Sequence, residues 1–481
     1  MKIFYKIWSS RTKEFALIIF AACFLSCNKL VEVGPPNNKI VDANVYLNDA
    51  TATSVLTALY TGLGKTGLTN GLLSAPLYSG LLSDELMVSS NNATLSQYYT
   101  NALNNTDTTV PDYWSTLYSN TSIFTTNAAL DGITTSTTLT PAVKQQLLGE
   151  AKFMRAFYYF YLVNFFGDVP LVLNTDYKAN TLLARTPKAT VYAQIIKDLT
   201  DAQSLLSPNF LDGTLLTNSS ERLRPSKWAA IALLARVYLY TNDFANAEKQ
   251  ASLLINSSTQ FGLTSLAGAF LTAGSGNNEA IWQLQNTVTT SNTPEGRYFI
   301  PPSAGSLQQV YLNPILLNAF EKGDQRKTNW IGSQILNGVT NYYAFKYKNN
   351  KGGAVTEYET VFRLAEQYLI RAEAEVNGAG GEILGAVSDL NVIRNRAGLP
   401  NYTGTVDKPS LLAAILHERQ VELFTEWGHR WFDLKRTGNI DAVMTVVAPQ
   451  KGGTWSSYKA LFPIPLTELQ KDQNLTQNAG Y

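Results

Sequence analysis

Beyond residue 27 the sequence contains no cysteine; the chain has two, Cys23 and Cys27. A disulfide framework is therefore excluded from everything that follows them. Histidine is equally scarce, with only His417 and His429. No His-rich or Cys-rich metal site can be assembled from these, so no metal and no cofactor are expected. His417-Glu418 lacks the second histidine of a helical zinc-protease motif, and no Gly-x-Ser-x-Gly elbow occurs. Gly64-Lys65-Thr66 resembles the end of a phosphate loop, but the first glycine of that motif would fall at Leu59. Charge is sparse too: charged residues are 16% of the chain and the formal balance is +1. Without the four bases and one acid of residues 1–26 it becomes −2. Neither value creates a strong field, so nucleic acid is not an expected partner.

What the sequence does have begins at its N-terminus. Lys2, Lys6, Arg11 and Lys13 precede an uncharged, apolar run from Phe15 to Leu25. That run has the length of a signal-peptide core and is shorter than the ~20 residues of a spanning helix. Ser26 then places a small residue before Cys27, as lipoprotein processing requires. Residues 1–26 read as a lipoprotein signal peptide, Cys27 as the lipid-attachment site, and 27–40 as anchor and linker, with Gly34-Pro35-Pro36 breaking helix. Cys23, after Ala21-Ala22, is the competing attachment site. Residues 41–481 are expected to form one domain whose core, at 45% hydrophobic content, replaces disulfides.

Apolar spacing predicts a mainly α domain. Helices are expected over 50–62, 141–165 (opened by Pro141, closed by Gly167), 190–206, 228–240, 244–255, 363–376 and 383–396. Small residues such as Ala235 and Ala247 give TPR-like helix pairs near 190–257 and 363–397. Residues 88–112, rich in Ser, Asn and Thr, read as a long surface loop. The stretch 257–358 reads as an irregular insertion with minor strands at 280–285 and 342–347. Arg155, Asp168, Glu418, Arg419, Arg430 and Asp433 sit among aromatics and are expected to form internal salt bridges, because an unpaired buried charge costs several kcal/mol. Asp84-Glu85 is the most tempting acid pair for glycoside hydrolysis, but adjacent side chains diverge on a helix.

Several blocks, in one order along the chain, carry a resemblance: Cys27-Asn28-Lys29-Leu30 with Pro35-Pro36; Ser83-Asp84-Glu85; Glu150-Ala151-Lys152-Phe153-Met154-Arg155-Ala156; Phe166-Gly167-Asp168-Val169-Pro170-Leu171; Tyr368-Leu369 with Arg371-Ala372-Glu373-Ala374; Gly428-His429-Arg430-Trp431-Phe432-Asp433-Leu434; and Phe462-Pro463-Ile464-Pro465 with Asn478-Ala479-Gly480-Tyr481. Together they resemble the SusD/RagB family. The resemblance implies a SusD-like fold and a lipid-anchored protein on the outer face of the outer membrane. Such a protein captures oligosaccharides and delivers them, chemically unchanged, to a SusC-type TonB-dependent transporter; it is not an enzyme. A peptide or other nutrient receptor on the same scaffold is the alternative within that class. A carboxylate-based glycan hydrolase is the alternative outside it. By position relative to Ser83-Asp84-Glu85, the family's ligand loop maps to Asn91–Asn101, with Gln97, Tyr98, Tyr99 and Asn101 as contacts. A second contribution maps to the insertion, with Arg297 and Tyr298 the best candidates. Neither loop holds a tryptophan, which argues against an α-glucan ligand.

Overall fold

The computed structural model describes residues 42–481, apart from 66–70, 108, 119–121, 288–290 and 381–382. The signal segment, Cys27 and the linker lie outside the described residues. The chain divides into two units, Met1–Val45 and Tyr46–Tyr481. Of the first, only the short helix Asp42–Val45 is described.

At the centre of the second unit lies the helix Pro141–Phe166, started by Pro141 at N1 and ended at Gly167, whose φ of +77° only glycine adopts freely. It is apolar around most of its circumference, and a helix of that kind must be enclosed. Phe153 and Phe157 pack edge-on to Trp282, and Phe165 stacks on Phe462 at 4.7 Å. The helices pack in a continuous series. Ile123–Thr135 packs on Pro141–Phe166, then follow Lys188–Leu205, Lys227–Tyr240 and Phe244–Ile255. Phe244–Ile255 packs directly against Leu364–Val376, which is followed by Ile383–Arg396 and Lys408–Glu422. The two helix pairs are thus neighbours in one stack, and residues 256–363 form an excursion between them. Among the described residues no helix is long and apolar enough to cross a membrane.

Among the described residues the minor β structure is three two-stranded sheets. Ala280–Leu284 pairs with Glu359–Arg363, closing the excursion at its base. Ile331–Leu336 and Val339–Ala344 form a hairpin whose Asn337 and Gly338 both have positive φ, the signature of a type I′ turn. Leu86–Val88 pairs with Val310–Leu312 across more than two hundred residues of chain.

Segment 88–112 is not the unstructured loop its composition suggested. It holds the helix Ala93–Tyr99, N-capped by Asn92, whose side-chain Oδ1 accepts from the Leu95 amide at 3.1 Å. It also contains the start of Thr109–Tyr118, whose Val110, Tyr113, Trp114 and Leu117 are buried at helical spacing.

Buried charges tie the excursion to the stack. Arg326, fully buried, bonds Asp324, Glu418 and Glu422. Glu422 also accepts from Arg363 and Arg396, and these three guanidiniums hold its carboxyl well below the ordinary range despite burial. Arg155 pairs with Asp198 at 2.7 Å, Arg419 with Asp433 at 2.7 Å, and Arg430 with Asp84 at 2.7 Å. Asp168 departs from the expectation: it is exposed, and its carboxylate accepts from the Lys188 amide at 2.7 Å, at the start of Lys188–Leu205. It caps a helix and forms no ion pair among the described residues, its charge acting on Arg185 without direct contact of the two side chains.

Candidate functional site

The site is built on Ala75–Leu82, a helix with every residue buried. Its last carbonyls have no partner within the helix. The Lys451 ammonium supplies one, donating to Leu81, Leu82 and Ser83 oxygens at 2.8 Å each. Burial lowers this lysine to about 7. Asp84 follows, 2% exposed, gripping Arg430 through two hydrogen bonds of 2.8 and 2.7 Å. Glu85 is equally buried, and desolvation with the neighbouring Asp84 charge pushes it to about 8. The acid pair most open to a hydrolytic reading therefore faces the interior, one member ion-paired and the other protonated at neutral pH. His429 is buried as well and held neutral by burial and by the surrounding arginines.

Fixed in this way, the chain enters the strand Leu86–Val88. Glu85 oxygen accepts from the Asn313 amide at 2.8 Å, and the Ser89 amide donates to Gln309 oxygen at 2.9 Å. This pairing sews the 88–101 segment to the excursion. At the surface Asn92 Nδ2 donates to Gln309 Oε1 at 3.2 Å. On the hairpin, Gln334 Nε2 reaches Ser306 oxygen at 2.8 Å and the Tyr311 hydroxyl at 2.9 Å. Asn341 is opposite Gln334 in the register, and Tyr343 is opposite Gly332. The Tyr343 ring lies so close over Gly332 that a Cβ there would come within 2.3 Å of it. The outcome is a seam of amides and phenols with no ion pair among these side chains.

The six residues singled out from sequence separate into two groups. Tyr98 is fully buried, stacked on Tyr78 at 4.1 Å and edge-on to Phe462 at 5.9 Å. Asn101 is 2% exposed, at φ +54°, and its Nδ2 donates to the Leu82 carbonyl at 2.9 Å. Both belong to the core, a correction with one cause: the short helix Ala93–Tyr99 turns Tyr98 inward against Ala75–Leu82. Tyr99 stays half-buried with the Lys451 ammonium 5.4 Å from its ring, and Gln97 is half-buried with its side chain hydrogen-bonded to Asp107. Arg297 is exposed. Tyr298 is half-buried, and its hydroxyl is enclosed without a hydrogen-bond partner, which raises it to about 12. The structure places this pair on the short helix Pro294–Phe299, packed near Tyr347 and Asn349, and not against the 88–101 segment. The excursion residues that do meet that segment are Gln309 and its neighbours. Asn337-Gly338 is a hairpin signal that the reading of 257–358 as irregular passed over; nothing local marks Lys451.

With this scaffold and seam described, the chain can be set beside known proteins. A family model described as starch-binding and associating with the outer membrane matches residues 37–239, and the SusD family model matches 284–481. The starch-binding protein SusD of Bacteroides thetaiotaomicron is 25% identical over 71% of this chain and 74% of its own length. A SusD-like protein of Formosa agariphila is 26% identical over 77% of this chain and 80% of its own. Among solved structures, a SusD superfamily protein from Bacteroides vulgatus superposes with a TM-score of 0.77 at 22% identity, covering 90% of this chain and 99% of that one. A laminarin-binding SusD-like protein gives 0.73 at 25% identity, covering 91% and 100%. The chain belongs to the SusD/RagB family and, with it, is a protein associated with the outer membrane.

Proposed function

We propose that this protein captures oligosaccharides at the cell surface and hands them, without chemical change, to a SusC-type TonB-dependent transporter. Cys27 carries the lipid that keeps it beside the channel on the outer face of the membrane. The observation that carries this reading is the seam formed where Leu86–Val88 pairs with Val310–Leu312. Sugar hydroxyls need donors and acceptors in place of water, and aromatic faces pack on the apolar C–H face of a ring. Asn92, Gln309, Asn341 and Tyr343 supply both, Gln97 and Tyr99 extend the surface along the 88–101 segment, and the exposed Arg297 offers a separate contact on the insertion. Relatives named for starch, laminarin and surface-glycan binding support a carbohydrate as the ligand class.

The test is native electrophoresis of the purified protein through gels containing single polysaccharides. Retarded migration on one polymer, with no oligosaccharide released, is the expected result; released product overturns the reading. Gln309→Ala combined with Asn92→Ala is expected to lower affinity roughly tenfold, since each hydrogen bond contributes about 0.5–1.5 kcal/mol. Copurification of the transporter with the protein from solubilised outer membranes tests the partner.

A further inference from the structure

A cavity of about 380 Å³ lies away from the seam, between the end of Pro141–Phe166, the start of Lys188–Leu205, the helix His429–Arg436 and the C-terminal segment. At about 30 Å³ per water it has room for on the order of ten water molecules. Its walls carry four cations, Arg185, Lys188, Lys435 and Arg436, and one carboxylate, Asp168.

The rest of the molecule shows how unusual that balance is. Most buried guanidiniums elsewhere meet carboxylates, as Arg326, Arg363 and Arg236 do, and Arg222, held by three backbone carbonyls, is the exception among the described residues. In the cavity only Arg436 does so, on Glu373 and Asp433. Arg185 makes its hydrogen bonds to the carbonyls of Asp168, Thr476 and Phe166 and to Asn478 Oδ1. Lys188 lies over the Tyr192 ring at 5.9 Å. Lys435 donates to one group, the Asn164 carbonyl. Lys451, similarly removed from water, fills all three of its N–H positions with carbonyls; Lys435 has two left over, at the cavity wall. Asp168 offsets only part of this charge: it accepts from the Lys188 amide at 2.7 Å and its charge acts on Arg185, one carboxylate against the three cations that have no ion pair among the described residues.

We propose that this cavity binds an oxyanion, the carboxylate or sulfate group of a small acidic ligand, held between Lys188, Lys435 and Arg185. Burial, with Lys188 nearby, brings Lys435 down to about 7. Affinity is therefore expected to fall as pH rises from 6 to 8, as Lys435 gives up its proton. Asp168, Arg185, Lys188, Arg436, Tyr192 and Tyr240 are the other charged or titratable groups lining the cavity. Burial raises both tyrosines above their ordinary value, so neither loses its proton in that interval.

Calorimetric titration of the full chain with sodium sulfate, sodium glucuronate and glucose, at ionic strength matched with sodium chloride, tests the site. Saturable binding of sulfate or glucuronate, with none of glucose, is the expected result. Tighter binding of glucuronate than of sulfate identifies an acidic sugar as the source; equal or weaker binding identifies the free oxyanion. Lys188→Gln, at an exposed position, and Lys435→Gln, which keeps a donor for Asn164, are each expected to weaken binding at least tenfold. Lys435→Arg is expected to keep binding and lose its pH dependence. Anion effects that match the chloride control, or that survive unchanged in Lys188→Gln, overturn the proposal.

Discussion

The Ser83–Asn101 segment and the 306–344 part of the excursion meet at one strand pair, yet they hold their polar groups in opposite ways. The first is fastened from beneath: Lys451 closes the helix end, Arg430 clamps Asp84, and Tyr98 and Asn101 point into the core. The second lies largely at the surface. Leu307, Ile335 and Val339 are more than half exposed, and Gln309 is open to solvent. The recognisable motif of the first region is thus a foundation, and the groups free to meet a ligand are mainly its edge and the partner it pairs with. Family-defining residues and ligand-facing residues need not be the same ones.

The largest expected effect falls on the foundation. Asp84→Ala leaves Arg430 without its carboxylate in a nearly closed site, so a loss of about 3–5 kcal/mol is expected in denaturant unfolding. A loss below 1 kcal/mol would mean that the clamp is not structural. Next comes Tyr98→Ala, which opens a cavity beneath the stacked Tyr78 and should cost about 3 kcal/mol. Tyr298→Ala, on a half-buried ring with an unsatisfied hydroxyl, should cost much less in the same assay; equal costs would erase the distinction. The last effect is a slope with pH. Folded Glu85 keeps its proton to about pH 8, whereas the unfolded chain sheds it near 4.3. The native state therefore binds the extra proton between these values, and stability falls as pH rises through that window, by at most about 1.4 kcal/mol per unit. Glu85→Gln is expected to flatten that component between pH 5 and 7, measured from unfolding midpoints against the unaltered protein.

Much of the scaffold was legible because its signals are local. Pro141 and Gly167 bracket the central helix, and small residues at Ala235 and Ala247 mark closely packed neighbours. The charges at Arg155, Arg419 and Arg430 announce their pairing by sitting among aromatics. Asp168 shows the limit of that inference, since sequence neighbours that are aromatic do not remove a side chain from water. The ligand surface was less legible for a related reason. Tyr98 and Tyr99 are adjacent and chemically alike, and only the short helix that carries them decides which one is buried. The join between Val88 and Val310, and the contact of Phe244–Ile255 with Leu364–Val376, span separations no periodicity reports.

That last contact sets how this protein can change over evolutionary time. Because the two helices on either side of residues 256–363 pack on each other, the stack does not depend on the length of what is threaded between them. Closing a loop twice as long costs only about 0.6 kcal/mol more. Segments can therefore be inserted, lengthened or exchanged at that position while the two flanking helices keep their packing on each other.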